Sequence, residues 1–187
     1  MNKKAFLFDL DGTLADTAIV NAKAYAAALA EVDIHVDIIQ FAQSINGKNW
    51  RQFLPSLLES ANVKIDPSIV AVRKSSIYAG MIGDILINTP LVMLLKTSRP
   101  LIKTALVTTA SGVNAHAIMD YHGLRSLFDV VVTGDEVTCH KPDPEAYLFA
   151  IEQLKLSPNE CLAFEDSEIG IASARAAGIQ AVHISFP

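Results

Sequence analysis

Asp9 and Asp11 stand two positions apart in Asp9-Leu10-Asp11-Gly12-Thr13-Leu14, at the end of the first apolar run of the chain. In an extended strand, residues i and i+2 leave on the same side, so the two carboxylates would face one space. Gly12 lets the backbone turn sharply there and approach a bound group closely. Taken alone, the pair is equally a polar loop with a capping aspartate. Three further segments tip the balance. Thr108-Thr109-Ala110-Ser111 ends a second apolar run with hydroxyls and free backbone N–H groups, which can cradle phosphate oxygens. Glu165-Asp166-Ser167 puts two more carboxylates at the end of another run, and Lys141 lies in the loop Cys139-His140-Lys141-Pro142-Asp143-Pro144. A lone lysine is ordinarily a solvated surface charge; here its neighbours point to an acidic, phosphate-binding site.

The elements that must position these residues follow from the apolar pattern. Ala5–Leu10, Thr104–Thr108, Phe128–Thr133, Cys161–Phe164 and Gln180–Ile184 are short runs rich in Val, Ile, Leu and Phe. Such runs suit strands of a parallel sheet covered on both faces. Helical patterns lie between the later ones: Val113–His122 with Gly123 as C-cap, Pro144–Leu154 with Asp143 capping and Pro144 first, and Glu168–Ala177 closed by Gly178. Alternation of this kind predicts a doubly wound α/β fold with right-handed crossovers, its ligand site at the carboxyl ends of the strands. Between the first and second strands the alternation fails. Asp16–Glu31, Trp50–Ser60 and Pro67–Ala79 read as helical, so residues 16–84 are expected to form an inserted helical subdomain, with the core in 1–15 and 85–187.

Taken in order, Asp9-Leu10-Asp11-Gly12-Thr13-Leu14, Leu106-Val107-Thr108, Lys141-Pro142 and Phe164-Glu165-Asp166-Ser167 resemble the four motifs of the haloacid dehalogenase superfamily. The closest likeness is to its phosphatase and mutase branch with a small helical cap, the group of phosphoglycolate phosphatase and β-phosphoglucomutase. The resemblance spans nearly the whole chain and implies a Rossmann-like core with an α-helical cap that closes over the site. It implies that Asp9 is the nucleophile, forming an aspartyl-phosphate, and that Asp11 is the general acid and then the base. Thr108, with Thr109 beside it, would bind the phosphoryl oxygens, and Lys141 would neutralise nucleophile and phosphate. Asp166, Asp9 and the backbone carbonyl of Asp11 would hold Mg²⁺, with Glu165 supporting that shell. Electrostatics agrees with this division. Carboxylates crowded in one cleft repel each other by something on the order of several kcal/mol per pair, and an oxygen-seeking dication with one ammonium relieves that repulsion. An acid must be protonated to serve a leaving group, so a raised pKa is expected at Asp11.

The resemblance also separates reactions. An acid at position 11 favours an oxygen leaving group over halide, and argues against phosphonate cleavage. Mutases of the branch carry a His where Asn21 stands here and Lys-Asn where Ser111-Gly112 stands, so hydrolysis of a small sugar or organic-acid phosphate is expected over isomerisation. A non-catalytic binding domain is the alternative of another class. Ile45-Asn46-Gly47-Lys48-Asn49-Trp50-Arg51 resembles the specificity turn of the cap, with Gly47 turning the chain and Lys48, Trp50 and Arg51 meeting the substrate's leaving group; the alternative is a helix start with Trp50 in the core and Lys48 and Arg51 solvated. The chain stops at Phe186-Pro187, where relatives usually continue with another strand and helix.

Bulk properties exclude other classes. The 187 residues are 51% hydrophobic and 19% charged with a formal net charge of −5 and no basic stripe, which argues against nucleic acid as a partner. Cys139 and Cys161 form no CxxC pair and read as reduced thiols. The apolar stretch after Lys3-Lys4 is too short for a signal peptide, and Ile82–Leu95 is too broken to span a bilayer. A cytoplasmic protein, monomer or homodimer, acting on a small phosphorylated metabolite is the expectation.

Overall fold

The computed structural model describes residues 3–45, 48, 50–99 and 101–186. The chain forms two compact units, one of Met1–Asp16 with Leu86–Pro187 and one of Thr17–Ile85. The first is built on strands β1 (Ala5–Phe8), β4 (Lys103–Val107), β5 (Val130–Val132), β6 (Cys161–Glu165) and β7 (Gln180–His183). They form a parallel sheet in the order β5-β4-β1-β6-β7. The order reverses at β1, which is where open α/β sheets form their crevice. Phe8 lies opposite Leu106 on one side and Phe164 on the other, so these three strands run out level with one another.

The three central strands are mostly buried, as their apolar composition requires, whereas edge strand β7 is largely exposed. Helices α5 (Thr89–Ser98), α6 (Gly112–Tyr121), α7 (Glu145–Leu154) and α8 (Glu168–Ala176) complete this unit. One buried cluster joins Leu7, Val107, Val132 and Ala163 to Tyr147, Ala150, Ile151 and Leu154 of α7. Elsewhere the sheet is packed by aromatic rings, with Phe8 stacked on Phe164 at 4.7 Å and Phe6 edge-on to Phe164 at 5.3 Å.

Several boundaries differ from the sequence expectation for identifiable reasons. β1 stops at Phe8 because the Leu10 carbonyl accepts from the N–H groups of Thr13, Leu14 and Ala15 and turns the chain. Helix α7 begins at Glu145, with Pro144 as its cap, while Asp143 accepts from the Glu145 N–H at 2.9 Å. A two-residue antiparallel ribbon was not foreseen: β2 (Ala15–Asp16) pairs with β3 (Leu86–Ile87).

The second unit is helical, with α1 (Ala18–Ala30), α2 (Ile38–Ile45), α3 (Leu54–Ser60) and α4 (Pro67–Gly80). The helix expected over Trp50–Ser60 is two pieces, a 3₁₀ turn at Trp50–Gln52 and then α3, broken at Phe53 ahead of Pro55. Tyr25, Phe41 and Phe53 meet edge to face at the centre of its own core. Among the described residues, no helix is long and apolar enough to cross a membrane.

Candidate active site

The level ends of β1, β4 and β6 deliver the predicted residues to one place. Asp9 follows β1 directly, Thr108 follows β4, and Glu165 and Asp166 end and follow β6. The backbone holds them in register, since the Asp9 N–H donates to the Phe164 carbonyl at 3.0 Å and the Thr108 N–H to Val132 at 2.9 Å. Asp9, Thr108 and Glu165 are buried; Asp11 and Asp166 are half-buried.

Lys141 reaches this place from the loop before α7. That loop is tied at several points. The Glu145 carboxylate accepts from the N–H groups of Thr138 and Cys139, the Asp143 N–H donates to His140, and Ser173 Oγ donates to the Asp143 carbonyl at 2.6 Å. The Lys141 side chain is only 5% exposed, and its ammonium is fully committed. It donates to Asp9 Oδ1 at 2.7 Å, to the Val107 carbonyl at 2.9 Å and to Glu165 Oε1 at 2.5 Å. Burial pulls its pKa down, but the charges of Asp9 and Glu165 outweigh that, so it is held above its ordinary value and stays charged. His140, its neighbour, is exposed.

Thr108 Oγ1 accepts from the Ala110 N–H at 3.0 Å and donates to Asp11 Oδ2 at a long 3.4 Å. The exposed Thr109 lies on the same turn, which packs tightly on Gly134: a Cβ there would fall 2.5 Å from the Thr109 carbonyl oxygen. The Gly134 N–H donates to Ala110 at 2.8 Å. Ser111 occupies the cap position of α6, but its side chain makes no capping bond. Asp135 takes that part, its Oδ2 accepting from the Gly112 N–H at 2.8 Å.

Asp9, Glu165 and Asp166 each offer a carboxylate oxygen within 4.8 Å of the others. Burial first, and then the charge of Asp9, pushes Glu165 up to about 7 and raises Asp166 as well. One ammonium among these carboxylates leaves an excess of negative charge that an oxygen-seeking dication would neutralise. Gly12, at φ +84°, leaves room for the Asp166 carboxylate, which a side chain at position 12 would overlap. Thr13 Oγ1 steadies Asp166 Oδ1 from 3.4 Å. The donor set therefore fits a divalent cation such as Mg²⁺. Exposed Cys139 with Asp143 and Glu145 is a second group of potential ligands, but its carboxylates already cap the loop's own N–H groups.

One residue of the site escaped the sequence reading. Tyr147, fully buried in α7, donates its hydroxyl to Glu165 Oε1 at 2.5 Å. Burial, followed by the charge of Glu165, raises its phenol well above the ordinary value, so it remains a donor. On the helical pattern it is a core residue; a tyrosine among alanines on a buried face, six residues past a site lysine, is the only signal the sequence offers. The predicted cap residues belong to the helical unit. There Lys48 and Arg51 are exposed, Arg51 lies over the Trp50 ring at 4.3 Å, and Gly47 is outside the described residues.

Known proteins resemble this chain over most of its length. The model of the haloacid dehalogenase-like hydrolases matches residues 3–178. The chain belongs to this family. It is 33% identical over 178 residues to fructose-1-phosphate phosphatase YqaB of Escherichia coli K12, covering 95% of this chain and 94% of that one. A phosphorylated carbohydrates phosphatase of Thermotoga maritima is 31% identical over 190 residues, covering 96% and 84%. Among solved structures, CbbY from Rhodobacter sphaeroides in complex with phosphate superimposes with a TM-score of 0.83 at 25% identity, covering 98% of this chain and 86% of that one. Family membership and the relatives' activities together make the haloacid dehalogenase-like chain an enzyme acting on phosphate esters. The non-catalytic alternative is thereby set aside.

Proposed function

We propose that the chain is a cytoplasmic Mg²⁺-dependent phosphatase that hydrolyses a small sugar phosphate through an aspartyl-phosphate. The observation that carries this reading is the contact of Lys141 with both Asp9 and Glu165, which draws three distant segments around one carboxylate. The named activities of the relatives, on fructose 1-phosphate and phosphorylated carbohydrates, supply the substrate class.

In this reading a carboxylate oxygen of Asp9 attacks phosphorus in line with the ester oxygen, and the P–O bond to the sugar breaks. Asp11 gives its proton to the departing alkoxide. The ionised Asp11 then takes a proton from water, which attacks phosphorus, and Asp9 is released with inorganic phosphate. Two easier transfers replace one difficult one. Lys141 neutralises Asp9 and orients it, while Thr108 and the N–H groups of the Thr109 turn bind the phosphoryl oxygens. Asp9, Asp166 and the Asp11 carbonyl would hold Mg²⁺, with Glu165 behind them; the ion supplies charge neutralisation for the incoming phosphate. We take the helical unit as the substrate-selecting cap, with exposed Lys48 and Arg51 as its candidate specificity residues.

The test is turnover of p-nitrophenyl phosphate and of a panel of sugar phosphates, with and without Mg²⁺, by the wild type and Asp9→Asn. Turnover that needs Mg²⁺ and vanishes in Asp9→Asn is expected. Undiminished rates in Asp9→Asn would overturn the assignment of the nucleophile. Bisphosphate-dependent isomerisation by the wild type would move the chain to the mutases.

A further inference from the structure

Glu165 presents an uneven hydrogen-bond pattern. Both of its donors, Lys141 Nζ and the Tyr147 hydroxyl, converge on Oε1, while Oε2 is buried against Gly170 with no hydrogen-bond partner. Lys141 in turn is shared between Glu165 and Asp9. Two carboxylates thus compete for one ammonium, and the outcome fixes the orientation of Asp9. Each donor that satisfies Glu165 from elsewhere lessens its hold on Lys141.

We infer that Tyr147 is a positioning residue of this site: its hydroxyl satisfies Glu165 so that Lys141 remains directed at Asp9. Tyr147 lies outside the four sequence motifs, and its hydroxyl bonds to Glu165 rather than to Asp9. It acts along the line Tyr147, Glu165, Lys141, Asp9. The Lys141 ammonium also lies 5.4 Å from the centre of the Tyr147 ring, so the ring walls the lysine while the hydroxyl holds the glutamate. Phenylalanine keeps the wall and removes only the hydrogen bond. The fixed donor is well placed mechanically, because Tyr147 sits in the cluster that packs α7 on the sheet, together with Ala150 and Ile151.

The inference rests on the phosphatase reading above, and the experiment separates the two. Steady-state kinetics with p-nitrophenyl phosphate and Mg²⁺ are measured for wild type, Tyr147→Phe, Ile151→Val and Asp9→Asn, alongside thermal melts. In Tyr147→Phe, kcat is expected to fall about tenfold while KM changes less than twofold, the loss expected of a misdirected nucleophile. Ile151→Val removes packing from the same face and is expected to lower the melting temperature with kcat unchanged. An independent readout needs no turnover. In the metal-free protein, a slowly exchanging downfield hydroxyl proton is expected by NMR, absent in Tyr147→Phe and shifted in Glu165→Gln. An active wild type and a dead Asp9→Asn, with Tyr147→Phe matching wild-type kcat, would overturn this inference and leave the phosphatase reading standing. A kcat loss in Ile151→Val as large as that in Tyr147→Phe would likewise overturn it, reducing Tyr147 to packing. An inactive wild type would overturn the phosphatase reading, and the hydroxyl resonance would then decide only the contact with Glu165.

Discussion

Gly12 and Asp166 lie so close that a methyl group on the first would overlap carboxylate oxygen Oδ2 of the second. The glycine also holds a φ of +84°. Gly12→Ala therefore faces two penalties, the left-handed backbone at about 1–2 kcal/mol and displacement of Asp166. Turnover is expected to fall at least about tenfold, more than that stability loss explains, since Asp166 belongs to the carboxylate cluster. Parallel chemical denaturation and kinetics would reveal it; a variant that is destabilised yet fully active would mean that Asp166 tolerates displacement.

Lys141 is the one cation among Asp9, Glu165 and Asp166 in the structure described. Lys141→Met leaves Asp9 and Glu165 buried without it, and breaking such an arrangement costs about 3–5 kcal/mol. Loss of turnover and a lowered denaturation midpoint are expected. Adding Glu165→Gln removes one stranded charge, so the double variant should regain stability relative to Lys141→Met without regaining activity. Additive losses in the double variant would contradict the pairing.

Asn88 is buried and ties three backbone groups together. Its N–H donates to the Leu14 carbonyl at 2.9 Å, its side-chain amide to the Thr13 carbonyl at 3.0 Å, and its Oδ1 accepts from the Leu91 N–H at 3.2 Å as the cap of α5. Asn88→Ala removes a helix cap and strands a buried carbonyl in the loop that follows Asp9 and Asp11. A loss of about 1–3 kcal/mol is expected, and hydrogen exchange should quicken at Thr13–Ala15. Unchanged exchange there would show that the loop is held by other contacts.

Acid stability should carry the mark of Glu160. The Lys4 ammonium, then the Ser157 backbone N–H and hydroxyl, pull its pKa from an ordinary 4.5 down to about 2. A carboxylate depressed in the folded state stabilises above its unfolded pKa and loses that stabilisation as pH falls through its folded pKa. The difference in unfolding free energy between wild type and Glu160→Gln should be largest above about 4.5 and shrink toward pH 2. Urea melts at several pH values measure this; a difference that grows as pH falls would refute it.

The residues that the structure gathers at the candidate site were the most legible part of the sequence. Asp9, Thr108, Glu165 and Asp166 end apolar runs, and a run buried on both faces has few readings other than a central strand. Once the strands are aligned, those ends must meet. Lys141 was legible only in company, since nothing about an isolated lysine says that it is buried. Tyr147 was not legible because an aromatic on a buried helical face has the same periodicity whether or not its hydroxyl has a partner. Ribbon β2–β3 was missed for a related reason, as two residues per strand are too few to show alternation. The break in Trp50–Ser60 was a different failure: apolar spacing continues through Phe53, but Pro55 imposes a fresh helix start. The cap residues Lys48 and Arg51 rest on resemblance and on their exposure alone.

The pairing of Asp16 with Leu86 gives the chain's long detour a common doorway. A segment clasped at both ends can be lengthened, trimmed or exchanged without tugging β1 out of line with β4, because the closure cost of the detour grows only slowly with its length. Under the proposed function, reactivity and selectivity would thereby be uncoupled in heredity: the insert could be rewritten for a new substrate while the carboxylates beyond the clasp stay in place.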